Sequence, residues 1–390
     1  MKTWDERAQE SIAQGCLTYS KRSDQFVKGT YPTHVTKTEG CYLYGENGKK
    51  YCDFIGGLGS NIISSNNNFS LPHVKEVVLA EKIKEKIKFI DKLRFLKTGT
   101  DACLSAVRIA RTYTSHHLVI GMGYHGFGNM FIAEETPGAG CVPELYKKFD
   151  SIEEIIYFMD NNRTMYEVGG VIVEPVQLDI DVKDKLTALR KACDKHKAVL
   201  IFDEVITGFR TPKYCMAQYL GVTPDIICLG KAMANGHPIS VVGGKKEIMD
   251  APNYFISSTF AGELSSIEWA LETIDFMTEN KIQLLWNDGK TFQEEFNKLS
   301  PKIQMVGIPT KAVFRGDELF KNLFWQEMCK RGFLLGKAWH IMWEHTQRKS
   351  PNDISPIIQL FLCCKEVIQE IESGNVKLEG QTAQEVFKRY

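Results

Sequence analysis

Short apolar runs alternate with amphipathic stretches between about residues 90 and 245. This predicts an α/β fold, a mostly parallel sheet with helices on both faces. Two observations carry that reading. The runs "LRFLKTG", "HLVIGMG", "GGVIVEPV", "AVLIFDEV", "DIICLG" and "ISVVGG" are short and rich in β-branched residues, and most end at glycine or a polar residue. Between them, "DACLSAVRIARTY" and "VKDKLTALRKACDKHK" carry apolar residues at helical spacing. Ligands of such sheets bind at the carboxyl ends of the strands, so the residues just after each run are the first candidates for chemistry.

The flanks have a different texture. Residues 38–55, "TEGCYLYGENGKKYCDFI", predict a β-hairpin turning at "GENGKK", where Asn-Gly suits a turn that needs positive φ. From about residue 264 the pattern is mainly helical, clearest in "LSSIEWALETIDFM" and "SPIIQLFLCCKEVIQEIES". The layout divides the chain into an N-terminal segment (1–60), a large α/β domain (61–263) and a linking helix with a C-terminal part (264–390). The two ends together make a smaller α+β domain.

Composition narrows the function. Of 390 residues, 43% are hydrophobic and 25% charged, as in ordinary globular proteins. Lysine plus arginine number 48, as do aspartate plus glutamate, which gives no electrostatic footprint for nucleic acid or an anionic membrane. The 11 cysteines contain no Cys-x-x-Cys pair, so neither a disulfide framework nor a zinc ribbon is expected, and no metal site. They read as thiols of a reducing compartment. The polar start "MKTWDERAQESIAQG" lacks a signal-peptide core, and no apolar run approaches the roughly 20 residues of a membrane helix. A cytoplasmic protein is expected.

Six stretches could carry chemistry, and most also have a plain structural reading. In "KTGTDACLSAVRIARTY" (97–113) a strand ends, Gly99 and Thr100 turn the chain, and a helix begins near Asp101. Free N–H groups there suit a phosphate, although Gly-Thr-Asp is also an ordinary helix cap. "GYHGFGN" (123–129) sets Tyr124 and His125 among glycines, a loop that lets backbone approach closely; Tyr124 could stack on a flat ligand or pack in the loop. "VIVEPVQ" places Glu174 and Gln177 at a strand end, facing a ligand or closing a turn. "IICLGKAMANGHPIS" puts Lys231 just after a strand, where desolvation would make its amine nucleophilic; a surface loop lysine is the alternative. "SSTFAGE" (257–263) offers Thr259 as a phosphate ligand and means little alone. The most informative stretch is "VLIFDEVITGFR" (199–210), a buried run ending in Asp203 and Glu204.

Together these are the parts required by one flat, phosphorylated, nitrogen-heterocyclic aldehyde, pyridoxal 5′-phosphate. It needs a lysine for a Schiff base and a carboxylate that keeps its pyridine nitrogen protonated, so that the ring can accept electrons. A low-dielectric strand tip at Asp203 strengthens that attraction. Val205, two residues on, could pack on the ring face opposite Tyr124.

The ordered motifs "TGTDACLSAVRIARTYT", "YHG", "GGVIVEPV", "IFDEVITGFR" and "GVTPDIICLGKAMANGHPIS" resemble the class III (subgroup II) pyridoxal-phosphate-dependent aminotransferases, within them the glutamate-1-semialdehyde 2,1-aminomutase-like branch. The resemblance spans about residues 36–275. It implies fold type I, with a mostly parallel seven-stranded sheet. It implies that Lys231 bonds the cofactor and shuttles the proton, and that Asp203 binds the pyridine nitrogen. Gly99 and Thr100 would hold the phosphate, Tyr124 and Val205 would sandwich the ring with His125 beside it, and Glu174 and Gln177 would lie near its polar edge. It also implies a homodimer in which Thr259 reaches the neighbouring subunit's phosphate. "TEGCYLYGENGKKYCDFIGGLGS" resembles the family's N-terminal hairpin and the loop lining the substrate entrance. Leu58 stands there in place of the aminomutase's tryptophan. "YSKRSDQF", with Arg22 as a candidate carboxylate ligand, replaces its serine-proline-valine-arginine segment.

An aminotransferase acting between an amino donor and an aldehyde or ketone acceptor is therefore expected. An intramolecular aminomutase would use the same residues. A non-catalytic relative kept as a scaffold is a third reading, which the presence of both Lys231 and Asp203 disfavours.

Overall fold

The computed structural model describes residues 2–131, 145–162, 164–177, 180–252, 254–348, 350 and 353–383. The chain begins with a helix, Trp4–Ser11, and a three-stranded antiparallel sheet of β1 (Val35–Glu39), β2 (Tyr42–Gly45) and β3 (Lys50–Cys52). β2 and β3 are the predicted hairpin, with Tyr42 opposite Cys52 and Tyr44 opposite Lys50. In its turn Gly48 takes the positive φ, +76°, while Asn47 does not.

Seven strands follow: β4 (Lys92–Leu96), β5 (Leu118–Met122), β6 (Tyr146–Lys148), β7 (Val168–Val173), β8 (Val199–Asp203), β9 (Ile226–Leu229) and β10 (Ser240–Gly244). They form one sheet in the order β4-β10-β9-β8-β7-β5-β6. β10 is antiparallel to both of its neighbours, and the remaining pairings are parallel. β4 therefore points the same way as β5–β9, and the carboxyl ends of these six strands share one edge. Six of the seven strands correspond to the apolar runs. β6 does not, because Tyr146, Lys147 and Lys148 make a short polar edge strand with no apolar signal.

Both faces of this sheet are buried, and the residues of β8 show how. Leu200 and Phe202 face a core shared with helices Val74–Lys86, Lys183–His196 and Leu264–Phe276. Val199 and Ile201 face the helix Gly99–Thr114, which lays Ala102, Cys103, Ala106, Val107 and Ala110 on the other side. This period-two alternation puts Asp203 on the Gly99–Thr114 side and turns Glu204 away from it.

The C-terminal part adds an antiparallel sheet of β11 (Ile303–Ile308), β12 (Lys311–Gly316) and β13 (Ala338–His340). Helices Glu279–Phe296, Glu318–Lys330 and Pro356–Glu372 close over it. Their separate core stacks Phe292 on Trp339 and sets Phe296 edge-on to Phe314 and Phe324. Among the described residues no helix is long and apolar enough to cross a membrane.

Candidate active site

Five loops leaving the shared strand edge converge on one cleft of about 840 Å³, its open mouth included. Gly99 and Thr100 come from the turn after β4, Tyr124 and His125 from after β5, and Glu174 and Gln177 from after β7. Asp203 and Val205 come from the tip of β8, and Lys231 follows β9. Nine residues singled out from the sequence thus meet in space.

Asp203 is buried, 7% exposed, and accepts three hydrogen bonds. Its Oδ1 accepts from Val205 N at 3.1 Å. Its Oδ2 lies 2.8 Å from His125 Nδ1 and 3.3 Å from Cys103 Sγ. A carboxylate that is to face a protonated ring nitrogen can only accept, and that role calls for the proton of this contact to be on His125 Nδ1. Cys103 is buried beside Cys228, and that contact together with burial pushes its thiol well above the usual range, so it serves as a neutral donor.

The neighbouring acid has a different task. Glu204 is fully buried and accepts from Met216 N at 2.6 Å, Ala217 N at 2.8 Å and Thr207 Oγ1 at 2.9 Å. It fastens the start of the short helix Met216–Leu220 to the strand end. Burial pushes its carboxyl up to about 7. In the folded chain it therefore holds a proton that the unfolded chain has released, and its contribution to stability falls as pH rises from the ordinary carboxylate range through about 7. Glu204→Gln should flatten that slope in urea titrations. Glu204→Ala strands two buried N–H groups and should lower stability by about 3 kcal/mol, with cofactor affinity of the folded fraction unchanged.

Lys231 is reached through an extended Gly230 and itself takes a left-handed φ of +45°. Such backbone strain in a non-glycine residue collects at functional sites. The residue opens on to the cleft, while its ammonium is crowded enough for burial to lower its pKa, against the opposing pull of Asp203 and Glu174.

The helix Gly99–Thr114 begins two residues earlier than its sequence suggests. Thr98 is the cap, its hydroxyl accepting from Asp101 N at 3.2 Å while Asp101 Oδ2 accepts from Thr98 N at 2.9 Å. That frees Gly99 and Thr100 to present first-turn N–H groups. No side chain fits at Gly99, where a Cβ would stand 2.7 Å from Val205 Cγ1. At Gly126, φ +100°, a Cβ would stand 2.1 Å from Thr100 Oγ1. The two glycines thus let Val205 pack directly against the Gly99 backbone and Thr100 against that of Gly126, with the first-turn N–H groups between. Among the described residues His125 Nε2 is buried without a hydrogen-bond partner. A carboxylate at a strand tip, an amine across the cleft, an aromatic and a branched aliphatic on its walls, and an N–H cradle at one end fit pyridoxal phosphate.

Three predicted residues lie elsewhere in the single chain. Arg22 pairs with Asp24 and lies over Tyr19, and neither Leu58 nor Thr259 lines the cleft. Leu58 has a left-handed φ of +62°. Conversely, Cys103 and Lys311 line the cleft without having been singled out. Lys311 opens β12 after the Pro309–Thr310 turn, a basic residue at the head of a buried strand, and that position was the available signal. Arg210 lines the adjoining hollow beside Lys231, donates from Nη1 to Ile341 O at 2.9 Å, and has its pKa lowered by burial.

The sequence profile described as aminotransferase class-III matches residues 63–336. A glutamate-1-semialdehyde 2,1-aminomutase of Syntrophobacter fumaroxidans is 32% identical over 296 residues, 65% of this chain and 67% of that protein. A transaminase solved with PLP bound superposes with a TM-score of 0.68 at 19% identity, covering 95% of this chain and 97% of that one. An omega-transaminase from Sphaerobacter thermophilus gives a TM-score of 0.69 at 19% identity over 95% and 97% of the two chains. The seven-stranded sheet and its smaller C-terminal companion are the fold of these transaminases.

Proposed function

The chain belongs to the class-III aminotransferases, which makes it a pyridoxal-phosphate-dependent enzyme, and on that premise we propose that Lys231 and Asp203 are its working pair in transfer of an amino group between a donor and an aldehyde or ketone acceptor. One observation carries the assignment: the amine and the carboxylate face one cleft whose walls are Tyr124 and Val205 and whose end is the Gly99–Thr100 cradle. Bound there, the cofactor supplies an electron sink that lets the proton leave the substrate carbon bearing nitrogen.

The chain's residues do the rest. Lys231 would hold the cofactor covalently and would carry that proton on Nζ, and burial, which lowers its pKa, favours the neutral amine that this role requires. Asp203 keeps the ring nitrogen protonated, and His125 and Cys103 fix its carboxylate. Gly99 and Thr100 receive the phosphate, Tyr124 and Val205 hold the ring, and Glu174 and Gln177 lie toward its polar edge. Thr259 of the partner subunit completes the phosphate site in a homodimer. The division at residues 60 and 263 and a cytoplasmic location belong to the same reading.

Lys311 lines the cleft with Lys231 and Arg210 lines the adjoining hollow with it, and two further cations there favour substrates with an anionic group. Lys311→Met should raise KM for a carboxylate-bearing donor by about 10–100-fold with kcat little changed, and leave a neutral amine unaffected. An equal effect on both would remove Lys311 from substrate selection.

A second reading, intramolecular aminomutation, is favoured by the 32% identity to an aminomutase. The test is stoichiometric. With a panel of donors, a transaminase releases a deaminated donor and needs a separate acceptor. A mutase converts one compound with neither.

A further inference from the structure

The hairpin far from this chemistry carries a second reactive feature. Cys41 completes the two-residue turn between β1 and β2, and Cys52 ends β3. Tyr42 is opposite Cys52 in the ladder, and Asp53 N donates to Cys41 O at 2.8 Å, so the two cysteines are diagonal neighbours. Both are exposed, and their Sγ atoms are 4.0 Å apart. Cys329 is also exposed, while Cys103, Cys193, Cys215 and Cys228, in and around the large sheet, are buried.

We infer that Cys41 and Cys52 form a modification site, a thiol pair that a peroxide converts reversibly to a disulfide. Cys41 lies in the turn rather than in a strand, so its side chain is not held to the ladder's alternation and reaches that of Cys52. The sulfurs have about 2 Å to close, within reach of rotation about the χ1 bonds of two exposed side chains. The ring closed is short and already fixed by the ladder, so little chain entropy opposes it.

The chemistry balances with hydrogen peroxide as the two-electron oxidant. One thiolate attacks a peroxide oxygen, the O–O bond breaks, and the departing hydroxide takes a proton as water, leaving a sulfenic acid. The second thiolate attacks that sulfur, the S–O bond breaks, and the leaving hydroxide is protonated to a second water. Two thiols are oxidised to one disulfide and one peroxide is reduced to two waters. A dithiol reverses the change.

The position matters for the next segment. Asp53 Oδ1 accepts from Ile55 N at 2.9 Å, Ser70 Oγ donates to Asp53 Oδ2 at 2.7 Å, and Gly57 N donates to Ser70 Oγ at 2.9 Å. A 41–52 bond would pin the strand that delivers Asp53 to these contacts, stiffening the 55–60 loop under oxidation.

Lys49 and Lys50 lie between the two cysteines, so trypsin separates them. The cofactor-loaded protein would be treated with stoichiometric hydrogen peroxide, alkylated and digested without reductant. The expected product is peptide 38–49 linked to peptide 51–75, lighter by two hydrogen atoms, lost on adding dithiothreitol, with the buried cysteines still alkylatable after unfolding. In Cys41→Ser the link should vanish and a dimedone-trapped sulfenic acid should remain on Cys52. The inference is overturned if Cys41 and Cys52 stay free at a dose that oxidises Cys329, or if each is over-oxidised separately with no linked peptide.

Discussion

Lys231→Ala protein should fold, bind the cofactor more weakly and lose turnover by about 10⁴-fold. Two roles vanish in one change, the covalent anchor and the base that carries the proton. Lys311 also lines the cleft, but it comes from the head of β12 in the C-terminal three-stranded sheet, not from the strand edge of the large sheet. The strained φ of +45° at Lys231 fits a backbone held to aim one side chain. Steady-state assays with a responsive donor, together with a near-native circular dichroism spectrum, make the comparison. Turnover within about tenfold of the parent protein would remove Lys231 from the chemistry.

Asp203→Asn is the second large effect expected, a fall of about 10²–10³-fold in the single-turnover rate with cofactor still bound. The change is nearly isosteric and removes the charge opposite the ring nitrogen. It also sets a conflict in the wall. His125 Nδ1 and Cys103 Sγ both point donors at Oδ2, and Val205 N points one at Oδ1. An amide has one oxygen, so its NH₂ must face a donor whichever way it turns. An unchanged single-turnover rate would show that the carboxylate does not govern the ring nitrogen.

How much of this was legible beforehand depended on the range of the physical signal. Short apolar runs rich in β-branched residues, most ending at glycine or a polar residue, gave six strands of the large sheet, because a strand buried on both faces has few residue types to choose from. β6 carries two lysines at the sheet edge and gave no such signal. The start of the helix Gly99–Thr114 was misplaced by two residues because the reciprocal Thr98–Asp101 bonds are a matter of rotamers rather than composition. Strand ends identified nine cleft residues, since each follows its own local run. Asp203 and Glu204 were adjacent in the sequence and looked alike; alternation along β8 separates them into a cleft residue and an internal fastener. Cys103 and Lys311 escaped notice for another reason. Cys103 is an ordinary small residue on a buried helical stripe, and Lys311 arrives from a strand more than a hundred residues from Asp203. Only the folded sheet brings them together. Arg22 shows the converse, a plausible ligand by position that instead pairs with Asp24 at the surface.

The role of Lys231 is tested most directly by reducing the purified, pyridoxal-phosphate-loaded protein with borohydride and mapping the pyridoxyl-bearing peptide. A yellow protein that bleaches on reduction is expected, with the label on Lys231 and absent from Lys231→Ala. A label on Lys311 or another lysine, or cofactor that dialyses away unreduced from a folded protein, would contradict it.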